Sequence, residues 1–146
     1  MAVIQLDDRE FRRKLRKLSK KVKTLKPVLT KIGIEGTKNV EEHFDKERGP
    51  KQKWKKLSKR TLASRRTPKG KRKAKYGDKI LQDTGRLRAI AFNVKKTSVE
   101  IGTTVDYGAV HQFGKGRIPK REWLYINAKG LTRFKKILTI ELKKAV

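Results

Sequence analysis

Lysine and arginine number 42 in this chain of 146 residues against 14 aspartates and glutamates, which leaves a formal charge of +28. Such an excess repels itself in any compact state, and a polyanion or an acidic partner relieves the repulsion. Only 35% of the residues are hydrophobic, so composition alone stands near the boundary of disorder. A fold must be built where the sparse apolar residues fall into register. The length suffices for one domain, residues 1–146, with one modest core. There is no cysteine, which excludes disulfides and thiolate zinc sites. No apolar run approaches membrane-spanning length, and the N-terminus lacks a signal-peptide core. The expectation is a soluble protein of a cytoplasmic compartment, with no membrane partner.

The apolar residues do fall into register. Val3, Ile4 and Leu6 suit a short strand, and Asp7 or Asp8 suits the N-cap of a helix. Phe11, Leu15, Leu18, Val22 and Leu25 recur at spacings of four and three, one stripe on a basic helix. Pro27 suits the first turn of a second helix, on which Leu29, Ile32, Gly33, Gly36, Val40 and Phe44 share a face. The glycines would admit a close backbone neighbour, and Gly49–Pro50 would end the helix. Ser58 suits the cap of a short helix reaching about Arg66. Thr84 to Arg88 reads as a turn or a single helical turn. Ile90, Phe92 and Val94, then Val99 and Ile101, alternate as a β-hairpin closed by Gly102-Thr103-Thr104. Tyr107–Gln112 suits a short helix broken by Gly114-Lys115-Gly116, and Trp123 to Ile126 another strand. Leu131, Phe134, Leu138, Leu142 and Ala145 mark a last amphipathic helix. The fold class is α+β: one domain with a small antiparallel sheet packed by two or three longer amphipathic helices, and an exposed basic loop at 67–79.

Residues that carry chemistry are few. His43 and His111 are the only histidines, far apart and without a metal-ligand pattern. His43 is expected to be a core or surface residue near the apolar stripe of the second helix, and His111 a structural residue holding a hydrogen bond. No serine is paired in spacing with a histidine and a carboxylate. Gly114-Lys115-Gly116-Arg117 lacks the remainder of a phosphate-binding loop. Asp78, Asp83, Asp106 and Glu122 form no recognisable magnesium motif for a nuclease. The expectation is no catalytic residue, no metal and no cofactor.

The strongest physical feature is the basic run from 51 to 79. Lys51, Lys53, Lys55, Lys56, Lys59, Arg60, Arg65, Arg66, Lys69, Lys71, Arg72, Lys73 and Lys75 are the candidates for contact with a polyanion or an acidic partner. Trp54 and Tyr76 flank the run and have rings that stack on bases, although Trp54 is expected to anchor a small core.

Four ordered blocks add a resemblance. They are Gly49-Pro50 with Trp54-Lys55-Lys56-Leu57 and Thr61, then Ile80-Leu81-Gln82-Asp83-Thr84-Gly85-Arg86-Leu87. Ile101-Gly102-Thr103 with Tyr107-Gly108-Ala109-Val110-His111-Gln112-Phe113-Gly114 comes next, followed by Ile118-Pro119-Lys120-Arg121-Glu122-Trp123-Leu124. Together they resemble the phage virion morphogenesis family of tail-completion proteins. Departures are Gly108 where that family usually has alanine, and Lys120 and Glu122 where small residues and proline are common.

The resemblance implies a non-enzymatic structural protein of the virion. It would form a homo-oligomeric ring, often a hexamer, at the head–tail junction, made in the host cytoplasm and completing the tail for head joining. Partners would be other neck, connector and tail proteins, with non-specific contact to packaged DNA. The rival reading is a general nucleic-acid-binding protein of ribosomal or nucleoid type. Trp54, Thr84, Gly85, Leu87, Tyr107, His111, Gln112, Phe113, Gly114, Pro119, Arg121 and Trp123 would form a fold and interface motif. In it Phe113 and Trp123 fill the local core, and Arg121 reaches a carboxylate or a carbonyl.

Overall fold

The computed structural model describes residues 2, 3, 6, 8–66 and 78–145. Ile4 and Asp7, and most of the basic loop expected at 67–79, lie outside the described residues. The elements run β1 (Ala2–Val3), α1 (Arg9–Ser19), α2 (Lys26–Lys46), α3 (Lys59–Arg66), β2 (Ala91–Val94), β3 (Val99–Thr103), α4 (Tyr107–Phe113) and α5 (Ala128–Lys144). The strand order is β1-β3-β2, with β2 and β3 antiparallel. This is the α+β class, a small sheet with three longer helices. The chain forms two compact units, one built chiefly on Val3–Asn39, Ala91–Gly102 and Ile126–Val146, the other on Val40–Ile90 and Thr103–Tyr125.

The first unit follows from apolar periodicity. Asp8 caps α1 by accepting from the amide of Phe11 at 2.8 Å. The expected stripe continues past the helix, because α1 ends at Ser19 rather than near Leu25. A helix continued through Leu25 would run into Pro27, which has no amide to bond back to Lys23. The chain turns instead, with the amides of Lys21 and Val22 on the Leu18 carbonyl. Thr24 Oγ1 then receives the amide of Lys26 at 3.2 Å where α2 starts. Leu18, Leu25, Val28, Leu29, Ile32, Phe134 and Leu138 make the core.

The glycines of α2 meet side chains rather than another backbone: Phe92 covers Gly33, and Ile101 covers Gly36. The hairpin pairs Ala91 with Gly102 and Val94 with Val99, and Gly102 and Thr103 belong to β3 instead of closing it. Asn127 caps α5 through the Gly130 amide at 2.8 Å, while Asn39 Oδ1 takes the amide of Asn127 at 3.1 Å.

The second unit has shorter elements and longer irregular stretches. The helix α2 ends at Lys46, before Gly49–Pro50, where Glu47 adopts φ 49°. A tight reversal follows, with the Gly49 amide on Gln52 O at 2.8 Å and the Trp54 amide on Glu47 O at 2.9 Å. Ser58 Oγ accepts the Thr61 amide at 3.2 Å at the start of α3. Phe44 packs edge-on against Trp54 and tilted against Trp123, and all three are buried. The strand expected at Trp123 to Ile126 does not form. The backbone of Trp123 and Leu124 is paired by a side chain, that of Gln112, in place of a neighbouring strand.

Candidate functional site

The helix α4 and the loop that follows it organise the second unit. Gly114 ends α4 at φ 75°, a conformation that costs side-chain-bearing residues energy, with its amide on Val110 O. Lys115 and Ile118 then exchange two backbone hydrogen bonds of 3.1 and 2.9 Å around Gly116. Pro119 follows with its restricted φ, and the Arg121 amide returns to the carbonyl of His111 at 2.8 Å. The loop is thus folded back onto the helix it came from.

Gln112 is the hub. Its Oε1 accepts the amides of Trp123 at 3.0 Å and Leu124 at 2.9 Å, and its Nε2 donates to Leu124 O at 2.9 Å. One buried amide side chain thereby does what an adjacent strand would do, which is why the apolar run 123–126 stays irregular. Trp123 donates Nε1 to Gly108 O at 2.9 Å, and Trp54 donates Nε1 to Glu122 O at 2.8 Å. Both indoles are core anchors, as expected of Trp54. Gln82, also buried, donates to Phe44 O at 3.0 Å and accepts from Arg88 at 2.9 Å.

Arg121 reaches carbonyls, one of the two expected partners. Its Nε donates to Lys55 O at 2.8 Å and Nη2 to Lys56 O at 3.2 Å. Burial lowers this guanidinium below its ordinary value, and the nearby Arg65 charge adds to the effect.

The histidines part company. His43 stacks on the Tyr125 ring at 3.7 Å and bonds the Tyr125 carbonyl through Nε2 at 2.9 Å. Burial depresses its pKa against the pull of that bond. Burial likewise pushes the Tyr125 phenol up to about 12, with its hydroxyl donating to Arg48 O at 2.9 Å. His111, expected to hold a structural hydrogen bond, has instead a buried Nδ1 with no partner. Burial first, and then the charge of Arg121, depress its pKa.

His111 and Arg121 border a cleft of about 530 Å³. From the expected motif it takes Thr84, Gly85, Leu87, Tyr107, His111, Pro119 and Arg121, and from the expected cationic run it takes Lys55, Lys56 and Arg65. Lys51, Lys53, Lys59 and Arg60 are exposed and do not line it. The side chain of Arg66, and Lys69, Lys71, Arg72, Lys73, Lys75 and Tyr76, lie outside the described residues. Trp54, Gln112 and Trp123 are buried core.

Phe113 contradicts expectation: it is 70% exposed and fills no core. It sits at the last position of α4, one residue after buried Gln112 and two after His111, so its side chain leaves the helix on another face. Arg86 and Arg117, not among the site residues expected from the sequence, also line the cleft. Each lies inside or beside one of the four ordered blocks. Nothing in local spacing shows that the turn at 84–87 and the loop at 115–119 share a cavity.

Among the described residues no group of three or more histidines and carboxylates has the arrangement to hold a metal ion. No described helix is long and apolar enough to cross a membrane. The comparison with known families agrees with the four ordered blocks. The chain belongs to the phage virion morphogenesis family, whose model matches residues 6–143. Its role therefore lies in building the phage particle, and its place is with the virion. No curated protein and no solved structure matches the chain.

Proposed function

We propose that the chain is a tail-completion protein of the phage neck. It is a structural, non-enzymatic component that oligomerises into a ring of roughly six subunits at the head–tail junction and finishes the tail for head joining. The observation that carries this reading is the family match across residues 6–143. Physical chemistry makes the reading coherent. Head-to-tail contacts between identical subunits close into a ring when their rotation closes. A ring stacked on a tail surrounds the path of DNA. Cationic side chains facing that path would lower the cost of crowding phosphates there, and those facing outward would meet acidic surfaces. The partners are further copies of the chain and other neck, connector and tail proteins, with packaged DNA touched only non-specifically. The protein acts in the host cytoplasm during assembly and ends at the junction in the finished virion.

The test is a phage carrying a stop codon early in this gene. Filled heads and tails should accumulate unjoined, and added purified protein should restore complete particles. Cryo-microscopy of those particles should show a closed ring at the neck. Complete, infectious particles without the protein would overturn the reading. So would an open filament, or a single copy away from the junction.

A further inference from the structure

The cleft of the second unit combines features that a turn serving only the fold does not need. Among the described residues, cationic side chains from Lys55, Lys56, Arg65, Arg86, Arg117 and Arg121 line it against one acid, Asp83. Arg121, only 6% exposed, is fixed through Nε and Nη2, and neither bond uses Nη1. On the same cavity His111 keeps a buried nitrogen without a partner. Leu57, Leu87 and Ile118 supply an apolar wall. Tyr107 and Ile118 line the cleft while remaining 38% and 42% exposed.

A DNA duplex offers regularly spaced phosphates on a convex surface and has no apolar side chain to place against such a wall. Protein interfaces do the reverse, concentrating arginine and aromatic residues where charge and apolar surface meet. A second copy of this chain is a poor occupant. It carries only 14 aspartates and glutamates, and its Asp8 and Glu10 carboxylates are already held by Lys135. We propose that the cleft is a docking socket for an acidic segment of a different protein, in which a carboxylate lies close to an apolar side chain. That this partner is a phage assembly protein rests on the function proposed above. The chemical preference of the cleft is measured on the isolated chain and stands or falls without the ring.

The probe is a fluorescein-labelled peptide alternating glutamate with leucine, titrated against the purified full chain. Controls are an all-glutamate peptide of equal length, a glutamine–leucine peptide and duplex DNA. The glutamate–leucine peptide should bind at least about tenfold more tightly than either control peptide. Replacing two arginines of the cleft together, Arg86→Gln and Arg117→Gln, should leave the thermal midpoint in place and weaken that peptide about tenfold. The same variant should change DNA affinity by less than about threefold, because many other cations remain. Equal binding of the all-glutamate peptide would mean charge attraction alone and would overturn the socket. Undiminished peptide binding by the folded variant would overturn it too. Parallel weakening of peptide and DNA binding would make the cleft a polyanion contact and defeat the proposal. Should the double variant fail to fold, Arg117→Gln alone, on the exposed loop, is read in the same way.

Discussion

The two units of the molecule bury different chemistry. In the unit of α1 and α5, the interior is Leu18, Leu25, Val28, Leu29, Ile32, Phe134 and Leu138. In the unit of α3 and α4, Trp54 and Trp123 are buried together with His43, Gln82, Gln112 and Arg121. The reason is where backbone hydrogen bonds go. A helix satisfies its own amides and carbonyls, so it needs only an apolar stripe to bury. Irregular chain satisfies few of its own, and interior side chains must donate and accept on its behalf. Asn39, buried in the helical unit, obeys the same logic, since it serves the irregular junction at Asn127. Oil-like packing and hydrogen-bonded bracing should therefore fail differently when broken.

The largest effect should come from Trp123→Ala, which removes a fully buried ring and its bond to Gly108 O. A loss of about 3–5 kcal/mol in urea unfolding is expected. A loss below about 1 kcal/mol would show that the ring anchors nothing. Next comes Gln112→Met, which keeps the shape but strands the amides of Trp123 and Leu124 and the carbonyl of Leu124. It should cost about 2–4 kcal/mol, with amide exchange accelerating first at Trp123 and Leu124. In the helical unit, Ile32→Val removes one methylene from the core and should cost about 1 kcal/mol, with no such local signature. If Gln112→Met proved as mild as Ile32→Val, the bracing account would be wrong.

These contrasts also explain what the sequence revealed. Stripes on α2 and α5 and, as far as Leu18, on α1, the alternation at Phe92 and Val94, and the caps Asp8 and Ser58 are local patterns, and each appears in the structure. Trp123 to Ile126 misled because four apolar residues read as a strand, while the partner of the Trp123 and Leu124 backbone is a glutamine eleven and twelve residues earlier. Phe113 misled because its motif neighbours are buried and it is not. The cleft was half legible. Its members are scattered over four separate blocks of sequence, and only tertiary folding brings Lys55, Arg86 and Arg117 to one cavity.

Acid should discriminate between the units by a smaller margin. Both histidines lie in the unit of α4, and burial depresses the pKa of each below 6.5. The unfolded chain therefore takes up protons first as pH falls. Stability from these two groups is whole above about 6.5 and is lost as pH drops from there through the lower folded values. The thermal midpoint should fall between about pH 7 and pH 5, and the joint change His43→Gln and His111→Gln should flatten that slope. A midpoint that rose on acidification would contradict the depressed values.

The smallest effect on stability should come from the cations themselves, and there the comparison concerns function. Lys51, Lys53, Lys59 and Arg60 are exposed in one unit, and Arg13, Arg16, Lys17 and Lys20 are exposed in the other. Changing either set to glutamine should move the unfolding free energy by no more than about 0.5 kcal/mol for each residue, since exposed charges contribute little. Each set also removes the same amount of positive charge, so the two variants are matched. Binding to duplex DNA is the informative readout. For every phosphate that a variant ceases to neutralise, the dependence of log affinity on log salt should become shallower by about 0.9. If polyanion contact is localised in the basic run, the first set should shallow the slope and the second leave it nearly unchanged. Equal shallowing would mean that DNA senses only the net charge of +28. An unchanged slope in both would remove these eight side chains from any DNA-facing surface and leave the cleft, with its apolar wall, as the cationic feature that calls for a partner.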